Sequence, residues 1–332
     1  MLRKLVVDEC ESLKWLPRDY NSCALESLEI LMCPSLVCFP NSELPTTLKN
    51  IYIQGCENLT SLPEGMMHHN STCCLENLII DYCPSLKSFP TGELPSTLKN
   101  LAISVCSNLE SMSENMCPNN SALDSLYLVR YPNLRTLPEC LHNLKNLQII
   151  DCEGLECFPK GGLSVPNLTR LCIAQCRNLK SVSHQMTNLK SLQLLRISGC
   201  PRVESFPEEG LAPNLTSLKI DDCKNLKTGI SEWGLHTLTS LSSLTIKNMF
   251  PDMVSFPDEE CLLPISLTSI TINAMESLAS LALRNLIYLQ VLQISNCPNI
   301  CSLASLPATL ERLQIQNSPI LKARCSKEKG EY

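Results

Sequence analysis

One spacing recurs from one end of the 332 residues almost to the other: Leu-x-x-Leu-x-Ile-x-x-Cys-x-x-Leu-x-x-Phe/Leu-Pro. Its first copy is Leu2, Leu5, Val7, Cys10, Leu13, Leu16 and Pro17. Its second is Leu25, Leu28, Ile30, Cys33, Leu36, Phe39 and Pro40. Further copies begin at Leu48, Leu75, Leu98, Leu123, Leu144, Leu168, Leu192, Leu215, Leu241, Leu267, Leu289 and Leu310, which makes fourteen in steps of 21 to 27 residues. A repeat of that period is one coil, which cannot bury its own apolar residues and must stack on its neighbours. The constraint outweighs length, which alone would allow up to three globular domains. Segments 25–66 and 75–116 also match at an offset of 50, as a duplicated pair of coils would.

Each position has a physical job. Leu-x-Ile at period two places two side chains on one face of a short strand and the intervening residue on the other. Stacking the next coil about 4.8 Å away builds a parallel sheet over a continuous core. Later leucines turn back inward and close the coil. The Phe/Leu-Pro pair appears in eight copies (Pro17, Pro40, Pro63, Pro90, Pro138, Pro159, Pro207 and Pro257) and disfavours long helices on the outer side. The expected fold is α/β in class: a right-handed leucine-rich-repeat solenoid, or horseshoe, of about fourteen coils. It has a parallel β-sheet on the concave face, with short 3₁₀ or irregular turns and few helices on the convex face. The repeat domain spans 1–321, and 322–332 is a polar C-terminal tail. Glu276–Leu289 is the best helix candidate.

Composition follows from the coil. There are 58 leucines against 15 aromatics, so leucine fills the interior. Of 21 cysteines, ten occupy the ninth repeat position: Cys10, Cys33, Cys56, Cys83, Cys106, Cys152, Cys176, Cys200, Cys223 and Cys297. Tyr131, Met275, Ser318 and a slipped Met249/Phe250 stand there in the other copies. A small, mostly apolar side chain with a weak S–H donor suits a sharp turn that leaves carbonyls inside the coil. The reading is a ladder of buried, reduced thiols in a cytoplasmic protein, with no electropositive setting to activate them.

Several functions are disfavoured. A net charge of −6 is wrong for a general nucleic-acid binder. No run of 18 apolar residues offers a membrane span, and no secretory signal is apparent. His68, His69, Cys73 and Cys74 resemble a metal cluster, but adjacent pairs fit zinc spacing poorly, so no metal is assigned. Asn58, Asn70, Asn119, Asn167 and Asn214 head Asn-x-Ser/Thr triplets that matter only after export. No nucleophile, base and orienting group share a motif, so no catalytic residue is assigned and the chain reads as a non-enzyme.

The phrases Cys-Pro-Ser-Leu-Lys-Ser-Phe-Pro (83–90), Gly-Glu-Leu-Pro-Ser-Thr-Leu-Lys-Asn-Leu (92–101) and Cys-Ser-Asn-Leu-Glu-Ser-Met (106–112) add a resemblance. They are similar to the repeat domain of plant intracellular nucleotide-binding leucine-rich-repeat disease-resistance proteins of the coiled-coil class. Extracellular plant repeats differ, with Asn at the ninth position and a Leu-x-Gly-x-Ile-Pro signature that is absent here. The ending Lys-Gly-Glu-Tyr (329–332) resembles a tail that continues further in such receptors. The resemblance implies a domain that senses a pathogen effector or a guarded host protein and restrains the receptor through its own nucleotide-binding domain. No Gly-x-x-x-x-Gly-Lys-Ser/Thr loop occurs, so no cofactor is assigned here and ATP or ADP is expected only in an upstream domain. The first coil also lacks an obvious cap. The alternative is a scaffold or adaptor, for example in a ubiquitin ligase, without a nucleotide switch.

Partners are therefore expected to be proteins, with no nucleic acid and no membrane span. The residue between Leu and Ile, and the two after Ile, give the candidate concave face: Glu29, Tyr52, Asp81, Tyr82, Tyr127, Arg130, Asp151, Arg196, Lys219, Asp221, Asp222 and Lys247. Tyr and Arg are favoured interface anchors. The face is expected to be acidic around Asp81 and Asp151 and mixed from Arg196 to Lys247.

Overall fold

A computed structural model describes residues 2–16, 24–39, 44–63, 66, 74–90, 92–110, 112, 116, 121–138, 141–158, 162–182, 185–206, 210–226, 230–257, 262–283, 285–304 and 306–321. The chain divides into two compact units, 1–168 with 175–178, and 169–174 with 179–332. The predicted tail lies outside the described residues.

The first unit carries seven five-residue strands: β1 (Lys4–Asp8), β2 (Ser27–Leu31), β3 (Asn50–Gln54), β4 (Asn77–Asp81), β5 (Asn100–Ser104), β6 (Ser125–Val129) and β7 (Asn146–Ile150). They pair in parallel and in sequence order, each repeat position beside the same position of the next coil, as in Leu28↔Ile51 and Ile30↔Ile53. The second unit repeats this with β8 (Arg170–Ala174), β9 (Leu194–Ser198), β10 (Ser217–Asp221), β11 (Ser243–Lys247), β13 (Ser269–Asn273), β15 (Val291–Ser295) and β17 (Arg312–Gln316). Each of these fourteen strands coincides with a predicted copy. A solenoid of stacked parallel coils is the fold of each unit, and helix is nearly absent among the described residues.

Numbering each coil from its first Leu as position 1 and its Cys as position 9, positions 1, 4, 6 and 9 form the core. Leu25, Leu28, Ile30 and Cys33 are fully buried, as are Leu75, Leu78, Ile80 and Cys83. The turn after position 9 closes with an i→i+3 bond, as in Leu36 N–H to Cys33 O and Leu86 N–H to Cys83 O. The two end coils are exceptions: β1 alternates between exposed and half-buried with Cys10 exposed, and in β17 Leu313 is exposed and Ile315 half-buried, because no described coil covers those sides.

Position 8 has a conformation that several of its side chains do not announce. It is left-handed in every coil, with φ between 48° and 68°, whether the residue is Glu9, Met32, Gly55, Tyr82, Val105 or Asp222. The turn aims its N–H at the position-7 carbonyl of the following coil, as in Met32 N–H to Gln54 O at 2.8 Å and Asp222 N–H to Lys247 O at 2.9 Å. That carbonyl also accepts the thiol two residues after it. Ser104 O, for example, takes the Tyr82 N–H at 2.9 Å and the Cys106 S–H at 3.4 Å. A β-branched residue pays most for this conformation. Val105→Asn should therefore raise stability by about 1 kcal/mol; an unchanged or lower urea midpoint overturns that.

Two ladders fix the register in the first unit. At position 2 the charges alternate in sign: Arg3, Glu26, Lys49, Glu76, Lys99, Asp124 and Lys145. Pairs stand at 3.6 Å (Arg3–Glu26), 3.8 Å (Lys49–Glu26), 2.8 Å (Lys99–Glu76) and 2.8 Å (Lys145–Asp124). The Lys99 hydrogen bond and charge, with help from Lys49, hold the Glu76 carboxyl below the usual carboxylate range. These pairs are solvent-screened, so they serve register more than stability. At position 3, Asn100 donates to Asn77 and Asn77 to Asn50, both at 2.6 Å.

Two expectations need correction. Glu276–Leu289 is not a helix: Ser280–Ala282 forms strand β14, between β12 (Ser255–Phe256) and β16 (Ser302–Ala304), in a small second parallel sheet. Leu281 and Leu283 are buried with Ala282 exposed between them, a strand period. The Ala279 and Ser280 N–H groups bond to Val254 O at 2.7 and 3.2 Å. Nor is there a slip at Met249/Phe250. Met249 takes the ninth position, buried, with its sulfur 3.2 Å from the Cys223 N–H. Phe250 is the following residue, and its ring packs 5.7 Å from that of Trp233.

Candidate protein-binding face

Strand parity leaves positions 3, 5 and 7 on the face opposite the core. The structure places Glu29, Tyr52 and Tyr127 at position 5 of the first unit and Asp81 at position 7, all half-buried. Tyr82, Arg130 and Asp151 sit at position 8, in the left-handed turn just beyond the strands. In the second unit Arg196 and Lys219 occupy position 5 and are exposed; Asp221 and Lys247 occupy position 7, and Asp222 position 8.

The structure joins some of these residues. The Tyr52 hydroxyl donates to Gln54 Oε1 at 2.7 Å, and Gln54 Nε2 donates to Asp81 Oδ2 at 3.1 Å. Burial raises the pKa of the Tyr52 phenol, as do the charges of Asp81 and Glu29, so it stays a donor. Glu29 pairs with Lys4 at 2.8 Å, Arg130 with Asp151 at 3.4 Å and Lys247 with Asp221 at 3.6 Å. Asp221 also accepts from Ser198 at 3.2 Å, and Asp222 from Asn248 at 2.7 Å. Sequence reasoning missed position 3, and with it Asn50, Asn77, Asn100 and Arg170. The same period-two argument would have placed them on this face.

Other candidates find structural uses or fall outside the described residues. Asn167 and Asn214 donate to the preceding coil, to His142 O at 3.2 Å and Lys190 O at 2.7 Å, which explains two of the Asn-Leu-Thr phrases. Asn70, Asn119, His68, His69 and Cys73 are not among the described residues. Among those that are, no group of three His, Cys, Asp or Glu side chains could hold a metal ion, and no helix is long and apolar enough to cross a membrane.

Ladder thiols in the core, left-handed turns and a side-chain lattice on the opposite strand face define a leucine-rich-repeat solenoid. No protein-family model matches the chain. It is 33% identical over 333 aligned positions to a disease resistance protein of Arabidopsis thaliana, covering 90% of this chain and 20% of that protein. Against the Arabidopsis disease resistance protein RML1A it is 27% identical over 199 positions, covering 58% of this chain and 14% of the other. The chain thus spans a fifth or less of the length of these relatives. A leucine-rich-repeat protein of Leptospira interrogans shares the fold, at TM-score 0.61 and 21% identity, over 95% of this chain and 79% of its own. The chain therefore has the leucine-rich-repeat fold and is similar over most of its length to a plant disease resistance protein.

Proposed function

We propose that the strand face opposite the core is the recognition surface of an intracellular plant immune receptor. It would contact a pathogen effector or a guarded host protein, and would restrain the receptor through a nucleotide-binding domain elsewhere in the full-length protein. One observation carries the reading. Structurally equivalent positions hold fixed core chemistry on one side and widely varied chemistry on the other. Position 5 alone presents Glu29, Tyr52, Ile79, Ala102, Tyr127, Gln148, Cys172, Arg196, Lys219 and Thr245. A rigid lattice with varied side chains suits selective protein contact, and its tyrosines are the residue type that most often dominates such contacts. Free thiols at Cys33, Cys56, Cys83, Cys106, Cys152, Cys223 and Cys297 support a reducing compartment.

The test is the elicited defence response in plant tissue expressing the full-length gene. Tyr52→Ala and Tyr127→Ala should each weaken partner contact by about 2 kcal/mol, roughly thirtyfold, and depress the response at normal protein level. An unchanged response from both variants, and from Glu29→Ala and Lys247→Ala, would remove this face from recognition.

A further inference from the structure

We propose that the face of β8, β9 and β10 docks an acidic segment of a partner protein, anchored by Arg170, Arg196 and Lys219. The proposal rests on the recognition reading above and specifies its chemistry in the second unit. Arg196 and Lys219 are both at position 5, and the register sets them directly beside each other. Adjacent strands lie about 4.8 Å apart, so two exposed cations share one face at the spacing where like charges repel. Next in the row is Cys172, paired with Arg196 on the other side. Arg170 stands two residues before Cys172 on the same face and is also exposed.

None of these three cations has an ion pair or hydrogen bond among the described residues. Elsewhere on the strand faces and their turns, Lys4, Arg130 and Lys247 each meet a carboxylate. Asp221, the carboxylate on β10, is already held by Lys247 and Ser198. A chain with a net charge of −6 therefore concentrates unneutralised positive charge on three neighbouring strands. Cys172 lies where their fields converge. Burial raises its thiol pKa, while Arg196, Lys219 and Arg170 all pull it down, so the three fields meet at one side chain.

The shape selects the ligand. The cations spread over about 10 Å of open sheet, two strand spacings, so they suit an extended segment better than one compact anion. Alternate carboxylates of an extended chain repeat at about 6.8 Å, and Ser217, Ser243 and Thr245 continue the same face with smaller polar groups.

The experiment uses the whole chain and a fluorescein-labelled peptide of alternating Glu and Ser, read by anisotropy. Binding should saturate and weaken steeply as salt rises from about 0.05 M to about 0.5 M. The Arg196→Glu, Lys219→Glu double variant should lose at least about tenfold in affinity, and Lys4→Gln nothing. Saturating peptide should also slow alkylation of Cys172 and leave the exposed Cys10 and Cys157 unchanged. Continued protection of Cys223 from alkylation shows that the variant is folded. Equal affinity in the double variant, an unaltered Cys172 rate at saturation, or tighter binding of a single-stranded oligonucleotide of equal charge would each overturn the proposal. If peptide binding fails while Tyr52→Ala and Tyr127→Ala still depress the defence response, only the acidic-segment reading falls. If the response ignores all of these variants, the recognition reading falls too.

Discussion

Replacing Gly154 with asparagine should destabilise the first unit by about 3 kcal/mol, although six other coils carry asparagine at that position. In four of those coils the asparagine side chain ties the turn to the coil before it. Asn133 donates to Ser107 O at 3.1 Å and Leu109 O at 3.0 Å, and Asn178 to Glu153 O at 2.8 Å. In the second unit Asn225 reaches Pro201 O at 2.7 Å and Asn299 reaches Glu276 O at 2.8 Å. Repeat logic would therefore recommend asparagine at 154. The local geometry forbids it. A Cβ on Gly154 would stand 2.2 Å from Pro132 O and 2.8 Å from Leu134 O. Both are backbone atoms of the preceding coil, so no side chain can swing aside. Relief would have to come from moving a coil whose Tyr131 and Leu134 are fully buried. Gly154→Ala should show most of the same loss. The reverse exchange, Asn225→Gly, should cost only about 1 kcal/mol for its hydrogen bond. Urea unfolding, read by exposure of the Cys152 thiol, measures the effect, and a Gly154→Asn chain as stable as the parent would defeat the steric account.

Gly154 marks the boundary of what the sequence can say. Core positions were legible because each recurs in nearly the same chemistry from coil to coil, and a period of two fixes which face every strand residue takes. The left-handed position 8 was not legible. Gly55, Gly199, Asp151, Asp222, Asn248, Asn296 and Asn317 tolerate positive φ, but Glu9, Met32, Val105 and Gln175 do not favour it, so the coils share no signal for it. Hydrogen bonds from neighbouring coils impose that conformation against the residues' own preferences. The segment 276–289 misled for a related reason. Its leucines satisfy a helical spacing, but pairing with β12 and β16 supplies bonds that only the folded stack offers. On the candidate face, parity places the residues, yet which charges cancel depends on partners one coil away. Asp221 meets Lys247 across a strand boundary 26 residues long. That is why the expected mixed patch from Arg196 to Lys247 separates into a neutralised pair and an unneutralised cluster.

The thiol ladder should make the first unit fail in alkali. Burial pushes Cys106 from an ordinary 9.0 up to about 11 and Cys152 from 9.0 up to about 12. Cys83 is raised as well, by its hydrogen bond with the Cys56 thiol and by burial. The sign follows from proton counting. Below pH 9 both folded and unfolded chains hold these protons, and the stabilisation is complete. Above it the unfolded thiols ionise while the folded ones cannot, so the native state binds more protons and loses stability as pH rises. The loss continues until the folded values are passed. At about 1.4 kcal/mol per tenfold, Cys106 and Cys152 together withdraw on the order of 7 kcal/mol, comparable to the whole stability of many domains. The urea midpoint under reducing conditions should therefore fall steeply between about pH 9 and about pH 11. The last coil shows how to remove the titration and keep the bond: Ser318 holds the ninth position, with its hydroxyl donating to Gln316 O at 3.2 Å. A Cys106→Ser, Cys152→Ser chain should start somewhat less stable at neutral pH and then decline more gently. If its alkaline slope matched the parent's, the ladder would not be what fails.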